Sequence, residues 1–297
     1  MKCKFCRQNS IEFYYNGRPR KKVGVFIAEK RKYFKCKSCL SIFQDLSDFD
    51  LNRHSKYFSS GTYSNQVNLK SNLNSRNILK NLSLNAFREN VNYLSFFNFN
   101  LIYNKKILDF GCGSGNFLKF LYLFSDDNKF IKIGIDPIYN NIKIKNLPGI
   151  KFFTDLKKSD KICKKFDLIT SFSTLCTQPQ LNDLFKSFSE RLKKNGLLVI
   201  GDINPIDIRL KNKRYNKIFF RDSCLNYVSE KGFKSLASQY KFKHLKTSFS
   251  ERYDYNNLLR YLGLPFLKSI GINKLNYKNH VEKKGQSDYF FIVFQKE

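Results

Sequence analysis

Two pairs of cysteines near the start of the sequence have the spacing of metal ligands. Cys3 and Cys6 form one C-x-x-C pair, and Cys36 and Cys39 form a second. Each pair turns tightly enough to aim two thiolates at one ion, and four thiolates make a closed tetrahedral site. Two disulfides, a redox dithiol and an iron–sulfur cluster are the competing interpretations. We predict a structural zinc ion, with no open coordination position for catalysis.

The residues between the two pairs indicate a β-hairpin. Residues 13–15 and 23–27 are predicted to form its strands, with an Asn-Gly and an Arg-Pro pair between them as turn material. So short a segment has little core of its own, and metal binding would supply its folding free energy. We therefore predict a small zinc ribbon over residues 1–48.

A glycine-rich turn is the second feature with chemical meaning. Residues 107–110 read as a short buried strand, which Gly111, Gly113 and Gly115 follow as a tight turn. The next apolar positions have helical spacing. A strand, a glycine turn and a helix N-terminus form a cradle in which the backbone approaches a ligand closely. The spacing is G-x-G-x-G, with Asp109 two residues before the first glycine, and it differs from the G-x-G-x-x-G of a dinucleotide-binding turn.

Acidic residues stand at the ends of the next two predicted strands. Asp136 follows residues 131–135, where a carboxylate can accept both hydroxyls of a ribose. Asp155 follows residues 149–153, where it can take the amino group of an adenine or serve as an ordinary helix cap. Both acids are candidates for binding a nucleoside.

The segments that must position these residues alternate between strands and helices. Residues 166–171 predict a fourth strand, residues 180–194 a helix that ends at an Asn-Gly pair, and residues 197–202 a fifth strand. This alternation predicts a doubly wound parallel sheet that binds ligands at the carboxyl ends of its strands.

In order and spacing, residues 105–202 resemble the core of class I methyltransferases. The resemblance implies an α/β fold over residues 101–297, with a Rossmann-like seven-stranded sheet, helices on both of its faces, and S-adenosylmethionine as cofactor. It also implies a binding role for several residues. These are Asp109, Gly111, Gly113 and Gly115 for the methionine part, Asp136 for the ribose, and Asp155 with Leu156 for the adenine.

The last third of the chain has a weaker pattern. Residues 226–239 predict a helix capped by Ser229 or Asn226, and a sixth strand begins near Phe242. Residues 288–294 predict the last strand, which we expect to run antiparallel at the edge of the sheet. Residues 261–277 are expected to form a cap or loop between these two strands.

A four-cysteine ribbon joined to such a core, with an aromatic linker over residues 49–100, looks like bacterial methyltransferases of nucleotide-sugar and surface-glycan pathways. Some of these relatives methylate sugar carbon, using a Tyr/Glu/His cluster after the fifth strand as the source of a base. The corresponding stretch here lacks histidine, so oxygen methylation or a different base stays open. It offers Asp207, Tyr215, Asp222 and Tyr227 as weak catalytic candidates.

Two further functions stay open, one suggested by the net charge of +30 and the other by the small number of catalytic candidates. One interpretation is attraction to a polyanion, which would suit an RNA methyltransferase that acts on rRNA or tRNA. Another is a protein that binds the cofactor but has lost catalysis. The lysines are scattered rather than clustered, which favours a compositional origin of the charge and a small-molecule acceptor. No apolar run is long enough to span a membrane, and the chain begins with a cysteine pair rather than a signal sequence, so we expect a cytoplasmic protein.

Overall fold

The computed structural model describes most of the chain. The described residues are 2–17, 31–44, 48–60, 102, 105–123, 130–140, 149–221, 223–253, 255–262 and 274–297. They divide into two compact units. The first comprises Met1–Ser47, Leu175–Phe185 and Gly201–Val293, and the second comprises Asp48–Thr174, Lys186–Ile200 and Phe294–Glu297.

The strands belong to two sheets. They are β1 (Ile11–Gly17), β2 (Arg31–Cys36), β3 (Ile42–Gln44), β4 (Ile107–Phe110), β5 (Lys132–Ile135), β6 (Ile150–Phe153), β7 (Phe166–Phe172), β8 (Leu192–Ile203), β9 (Asn226–Tyr227), β10 (Phe242–Ser250) and β11 (Tyr289–Lys296).

The helices are short. They are α1 (Asp48–Ser59), α2 (Asn116–Leu123), α3 (Leu156–Ser159), α4 (Leu181–Arg191), α5 (Lys213–Phe219), α6 (Glu230–Ser238), α7 (Tyr255–Leu262) and α8 (Lys274–Lys283), together with 3-10 turns at Pro137–Asn140, Leu175–Thr177 and Ile208–Lys211. Among the described residues, no helix has both the length and the apolar character that a membrane crossing needs.

The larger sheet has seven strands in the order β10-β11-β8-β7-β4-β5-β6. Strand β4 is parallel to both of its neighbours, β5 and β7, and β5 is parallel to β6. Because β4 lies inside the sheet, its first three residues are fully or nearly fully buried. The predicted α/β fold class is therefore confirmed, including the number of strands in the sheet.

Helix α2 packs its apolar face into the core of the second unit. Phe117, Leu118, Phe120 and Leu121 are buried, which matches the helical spacing seen in the sequence. This burial holds the N-terminus of α2 directly after the glycine turn. The strands predicted around the turn agree with β4, β5, β6 and β7 to within one residue at each end.

The smaller sheet lies in the first unit and has the order β1-β2-β3-β9. Strand β1 pairs antiparallel with β2, so its partner among the described residues is Arg31–Cys36. The predicted partner, residues 23–27, lies outside the described residues. Behind this sheet, Tyr33 and Tyr227 pack against Phe220, with ring centroids 4.0 and 5.4 Å from it.

The last strand was predicted at the edge of the sheet, and this prediction is wrong. Strand β11 lies between β8 and β10, and β10 forms the edge. The backbone amide of Asn204 donates to the carbonyl of Asp288, and the side chain of Gln295 donates to the carbonyl of Asn195. These pairs show that β11 runs antiparallel to β8. Residues 289–294 are buried because strands flank β11 on both sides, which explains their continuous apolar run.

The predicted helix over residues 180–194 ends earlier. Helix α4 stops at Arg191, and β8 starts at Leu192 rather than at residue 197. Leu192 is buried, and the ammonium group of Lys193 forms an ion pair with Asp167 at 2.7 Å. Asn195, with a φ of 62°, therefore marks a kink within the strand rather than the end of a helix.

The predicted helix in the C-terminal third is confirmed in its later part only. Residues 226–239 do not form one helix, because Asn226 and Tyr227 form β9 by pairing with β3. Helix α6 follows, capped as predicted by Ser229, whose hydroxyl accepts the backbone amide of Gly232. The segment predicted as a cap or loop contains the end of α7 and the start of α8. The predicted strand at Phe242 is confirmed as β10.

Residues 61–100 lie outside the described residues, so most of the predicted linker cannot be compared with the structure. The predicted segments 1–48, 49–100 and 101–297 stay a prediction.

Strand β4 carries one acid inside the sheet. Asp109 is 3% exposed, and its carboxylate accepts a hydrogen bond of 2.8 Å from the hydroxyl of Thr170 on β7. Burial raises the pKa of Asp109 to about 7, although the hydrogen bond from Thr170 opposes the shift. The folded state therefore binds the proton more tightly than the unfolded chain, where an aspartate has a pKa of about 3.9. Stability from this group is present at acidic pH and is lost as the pH rises through about 7.

We expect the substitution Asp109→Asn to remove this pH dependence. The Tm of the variant minus that of the wild type should rise by roughly 5 °C from pH 5 to pH 8. The reason is that asparagine has no charge to desolvate. Thermal unfolding followed by circular dichroism measures it. Asp183→Asn, at an exposed position on α4, is the control and should show no such trend. A Tm difference independent of pH would contradict the shifted pKa.

Candidate functional site

The glycine turn joins β4 to α2 at the carboxyl edge of the parallel strands. Gly111, Gly113 and Gly115 have φ values of 75°, 52° and 74°, a region that side chains with a Cβ rarely adopt. The amides of Gly111 and Cys112 both donate to the carbonyl of Ile135 on β5, at 2.7 and 3.2 Å. The turn is thereby anchored to the neighbouring strand.

The surroundings of the three glycines differ. A Cβ at Gly111 would overlap the side chain of Thr174, and a Cβ at Gly115 would overlap the ring of Phe152. A Cβ at Gly113 would meet no atom within 4 Å. The loop is therefore packed at its two ends and open at its middle, which leaves room for a ligand against the backbone of Gly113.

Asp136 lies at the end of β5, where the sequence places it, and it contacts the loop. One carboxylate oxygen accepts the amide of Gly113 at 2.9 Å, and the other accepts the amide of Ile138 at 3.0 Å. Each oxygen has a further lone pair that can accept a hydroxyl. Burial raises the pKa of Asp136, whereas the two amides lower it. The structure thus brings Asp136 and the glycine loop together.

Asp155 lies at the end of β6 and is half-buried. It is the N-cap of α3, accepting the amide of Lys158 at 2.9 Å, and it forms an exposed ion pair with the ammonium group of the same lysine. Leu156 is the first residue of α3 and is half-buried. The helix-cap alternative is therefore present in the structure, and a role for Asp155 in binding a base stays a prediction.

Three side chains near the loop were missed by sequence reasoning. The hydroxyl of Tyr139 donates to the carbonyl of Gly113 at 2.5 Å, and the Tyr139 ring lies 4.9 Å from that of Phe152. Lys119 is buried on α2, and its ammonium group donates to the carbonyl of Ser114. Desolvation lowers the pKa of Lys119 to about 8. An aromatic residue three positions after Asp136 is the one signal in the sequence that could have pointed to Tyr139.

The four predicted metal ligands come together in the first unit. The sulfur atoms of Cys3, Cys6, Cys36 and Cys39 all lie within 4.8 Å of one another. The distance between the sulfurs of Cys3 and Cys39 is 3.8 Å, and that between Cys6 and Cys36 is 3.6 Å. A tetrahedral site with metal–sulfur bonds of about 2.3 Å has sulfur–sulfur edges of about 3.8 Å. The cluster therefore fits a tetrahedral metal ion.

This cluster is joined to the rest of the first unit by hydrogen bonds. The hydroxyl of Ser229, the cap of α6, donates to the carbonyl of Cys39, and the amide of Ser229 donates to the hydroxyl of Ser41 at 3.0 Å. The side chain of Gln239, at the other end of α6, donates to the carbonyl of Phe5 at 3.0 Å. Both ends of α6 are thus bonded to the cysteine module, the N-terminal segment that carries the four cysteines.

The first unit also contains a pocket of about 360 Å³, including the space open to solvent. It lies after β8 and combines tyrosine, arginine and aspartate side chains with an apolar wall. The lining residues are Ile203, Asp207, Tyr215, Ile218, Phe219, Arg221, Arg252, Tyr253, Tyr261 and Asp288.

A buried ion triad supports this pocket. The guanidinium of Arg209 bonds to Asp207 at 2.7 Å and to Glu251 at 2.9 Å, and all three side chains have no exposed surface. The Asp207 carboxylate also accepts the amide of Arg209 as the cap of the 3-10 turn. Burial raises the pKa of Asp207 and that of Glu251, the latter to about 7. The triad fixes Asp207 as part of the pocket wall.

The candidate catalytic residues divide between the pocket and the core. Tyr215 lines the pocket, and its hydroxyl lies 3.3 Å from Asp207. Burial raises the pKa of Tyr215, so its hydroxyl is protonated at neutral pH. Tyr227 is buried, and its hydroxyl accepts the amide of Arg221 at 2.9 Å, which makes its described contacts structural. Asp222 lies outside the described residues.

Comparison with known proteins identifies a family for the chain that carries the glycine turn and Asp136. A family model described as a methyltransferase domain matches residues 82–247, more than half of the chain. No curated protein matches the sequence. Among solved structures, a SAM-dependent methyltransferase from Archaeoglobus fulgidus has a TM-score of 0.50 and 15% identity, and the match covers 71% of this chain and 94% of that one.

Magnesium protoporphyrin IX methyltransferase from Synechocystis PCC 6803, solved with SAH, has a TM-score of 0.49 and 11% identity, with 84% of this chain and all of that chain covered. The matched residues 82–247 include the glycine loop, Asp136 and the strands that position both. The chain therefore belongs to the methyltransferase-domain family.

Proposed function

We propose that the protein methylates a small molecule, such as a nucleotide sugar or a surface-glycan precursor. The observation that carries this proposal is the pocket after β8. Its wall pairs apolar and aromatic surface with a few fixed polar groups, which suits a ring bearing hydroxyl groups.

The alternative of RNA methylation rests on the net charge of +30. Net charge governs non-specific attraction to polyanions and does not identify a site. The tyrosine, arginine and aspartate side chains in the lining of the pocket favour a small polar acceptor instead.

In this proposal, the open middle of the glycine loop holds the cofactor. The backbone at Gly113 lies against the methionine part, and the remaining lone pairs of Asp136 accept the ribose hydroxyls. Asp109 balances the positive amino group on the methionine part of the cofactor. That positive charge would lower the raised pKa of Asp109. Asp155 and Leu156 are the candidates for contact with the adenine. When bound, S-adenosylmethionine supplies an electrophilic methyl group on its sulfonium.

The chain's own residues orient the acceptor. The hydroxyl of Tyr215 is held by Asp207, which the ion pair with Arg209 holds in turn, so Tyr215 presents a fixed polar group to an acceptor hydroxyl. Methyl transfer depends heavily on the alignment of donor and acceptor. We therefore assign Tyr215 and Asp207 a positioning role.

The cofactor site is tested by the substitution Asp136→Asn. Asparagine keeps one acceptor oxygen for the loop but loses the carboxylate that accepts two hydroxyls. We expect the affinity for S-adenosylmethionine and for its demethylated product to fall at least about tenfold, or about 1.4 kcal/mol, in calorimetric titration.

Asp183→Asn removes a charge at an exposed position and is expected to bind both compounds like the wild type. Wild-type affinity in Asp136→Asn would disprove the assigned role of Asp136. A folded wild type that binds neither compound would contradict the whole proposal. Binding without methylation of any nucleotide sugar or RNA tested would favour the catalytically inactive alternative.

We also propose that the metal ion in the cysteine cluster is zinc with a structural role. All four ligands are thiolates, which suits zinc, and a filled tetrahedron leaves no position for a substrate. The cluster closes the start of the small sheet, which the hydrogen bonds of Ser229 join to α6.

We expect the purified protein to contain one zinc ion per chain, measured by atomic emission, and Cys36→Ser to lose most of it. Its Tm should fall by roughly 5 °C or more because zinc binding contributes to folding. Cys163→Ser is the control, since Cys163 is a buried cysteine outside the cluster. Equal zinc content in both variants would contradict the assignment.

A further inference from the structure

Three arginines lie in or beneath the pocket after β8, and their partners differ. Arg209 is closed off by Asp207 and Glu251 and has no exposed surface. Arg252 forms an ion pair with Asp288 at 2.6 Å. Among the described residues, the guanidinium of Arg221 makes no ion pair and no hydrogen bond, although it lines the pocket and is half-buried.

The carboxylates in the pocket wall are already occupied. Asp207 accepts the backbone amide and the Nε of Arg209, and Asp288 accepts the backbone amide and the Nε of Arg252. Neither acid is therefore left to neutralise Arg221. A half-buried guanidinium has five N–H donors, and leaving them without acceptors is unfavourable.

The backbone of Arg221 is fixed in place. Its amide donates to the hydroxyl of Tyr227 at 2.9 Å, and its carbonyl accepts the amide of Cys224 at 3.1 Å. Tyr227 is itself fully buried. The core therefore positions Arg221, whose guanidinium has no ion-pair partner among the described residues, and this lowers the entropic cost of binding a ligand.

We infer that Arg221 binds an anionic group of the acceptor, a phosphate or a carboxylate, in the pocket after β8. This inference rests on the proposed function and specifies its substrate class. Both groups present two oxygens that match the planar fork of a guanidinium.

The tyrosines in the pocket lining suit the rest of such a molecule. The rings of Tyr215 and Tyr253 lie 5.3 and 5.7 Å from that of Tyr261, and together they form an aromatic surface with hydroxyl groups. An aromatic face packs against the apolar face of a sugar or a base, and the hydroxyl groups bind polar substituents. The acceptor class is therefore a small ring compound that carries an acid group.

The test is calorimetric titration of the zinc-replete protein with three anionic probes, namely glucose 1-phosphate, uridine diphosphate and glucuronate. Neutral glucose is the uncharged comparison. We expect at least one anionic probe to bind the wild type saturably and far more tightly than glucose. The probe that binds best distinguishes a sugar phosphate, a nucleotide and a carboxylate as the source of the anion.

Arg221→Gln should weaken the binding of that probe at least tenfold. Lys231→Gln removes a positive charge at an exposed position on α6 in the same unit and should change the affinity less than twofold. If no anionic probe binds the wild type, or if both variants bind like the wild type, the inference is overturned.

The titrations are run with and without S-adenosylhomocysteine, whose own affinity is measured for every variant. Failure of the wild type to bind S-adenosylhomocysteine would refute the proposed function, whereas intact binding with no effect of Arg221→Gln would refute only the role of Arg221. Should Arg221→Gln fail to fold, Arg221→Lys decides: it keeps the charge without the fork, so we expect at least threefold weaker binding. Unchanged affinity in that variant would overturn bidentate binding.

Discussion

The turn between β4 and α2 is the constraint on which the second unit depends. Three backbone positions with positive φ allow a buried strand to lead directly into a buried helix, and Gly111, Gly113 and Gly115 occupy them. Thr174 packs against one end of the turn and Phe152 against the other. Since both ends are filled by the protein itself, the space left at Gly113 is a property of the packing around the loop and not of the glycines alone.

The elements around this turn could be predicted because their signals are local. Strand β4 is a short apolar run before a glycine turn, and Asp136 follows a second apolar run, so the sequence shows both. Strand β9 could not be predicted, since two residues form a strand only because β3 offers them partners. The ion pair between Arg209 and Glu251 joins residues 42 positions apart, and no local pattern reveals it.

The cysteine module illustrates the same limit. The spacing of its cysteines predicted the cluster, whereas its attachment to α6 depends on Ser229. This serine caps the helix through the amide of Gly232 and donates to the carbonyl of Cys39. A helix cap is visible in the sequence, but a hydroxyl that serves two elements is not. As a result, the cysteine cluster and the segment that includes β9 and α6 share one hydrogen-bonded frame.

The partners of individual cations, rather than the net charge of +30, identify where an anion can bind. Arg209 and Arg252 contribute as much to that total as Arg221, yet their carboxylate partners already use their donors. Burying a guanidinium is costly unless its donors find acceptors, so a half-buried arginine without them is an informative exception. Within the described ranges, Arg221 is such an arginine: it lines a pocket with an aromatic wall, and its backbone amide donates to the buried Tyr227. The proposed selectivity for an acidic acceptor therefore rests on a cation that has no carboxylate partner within the described part of the chain.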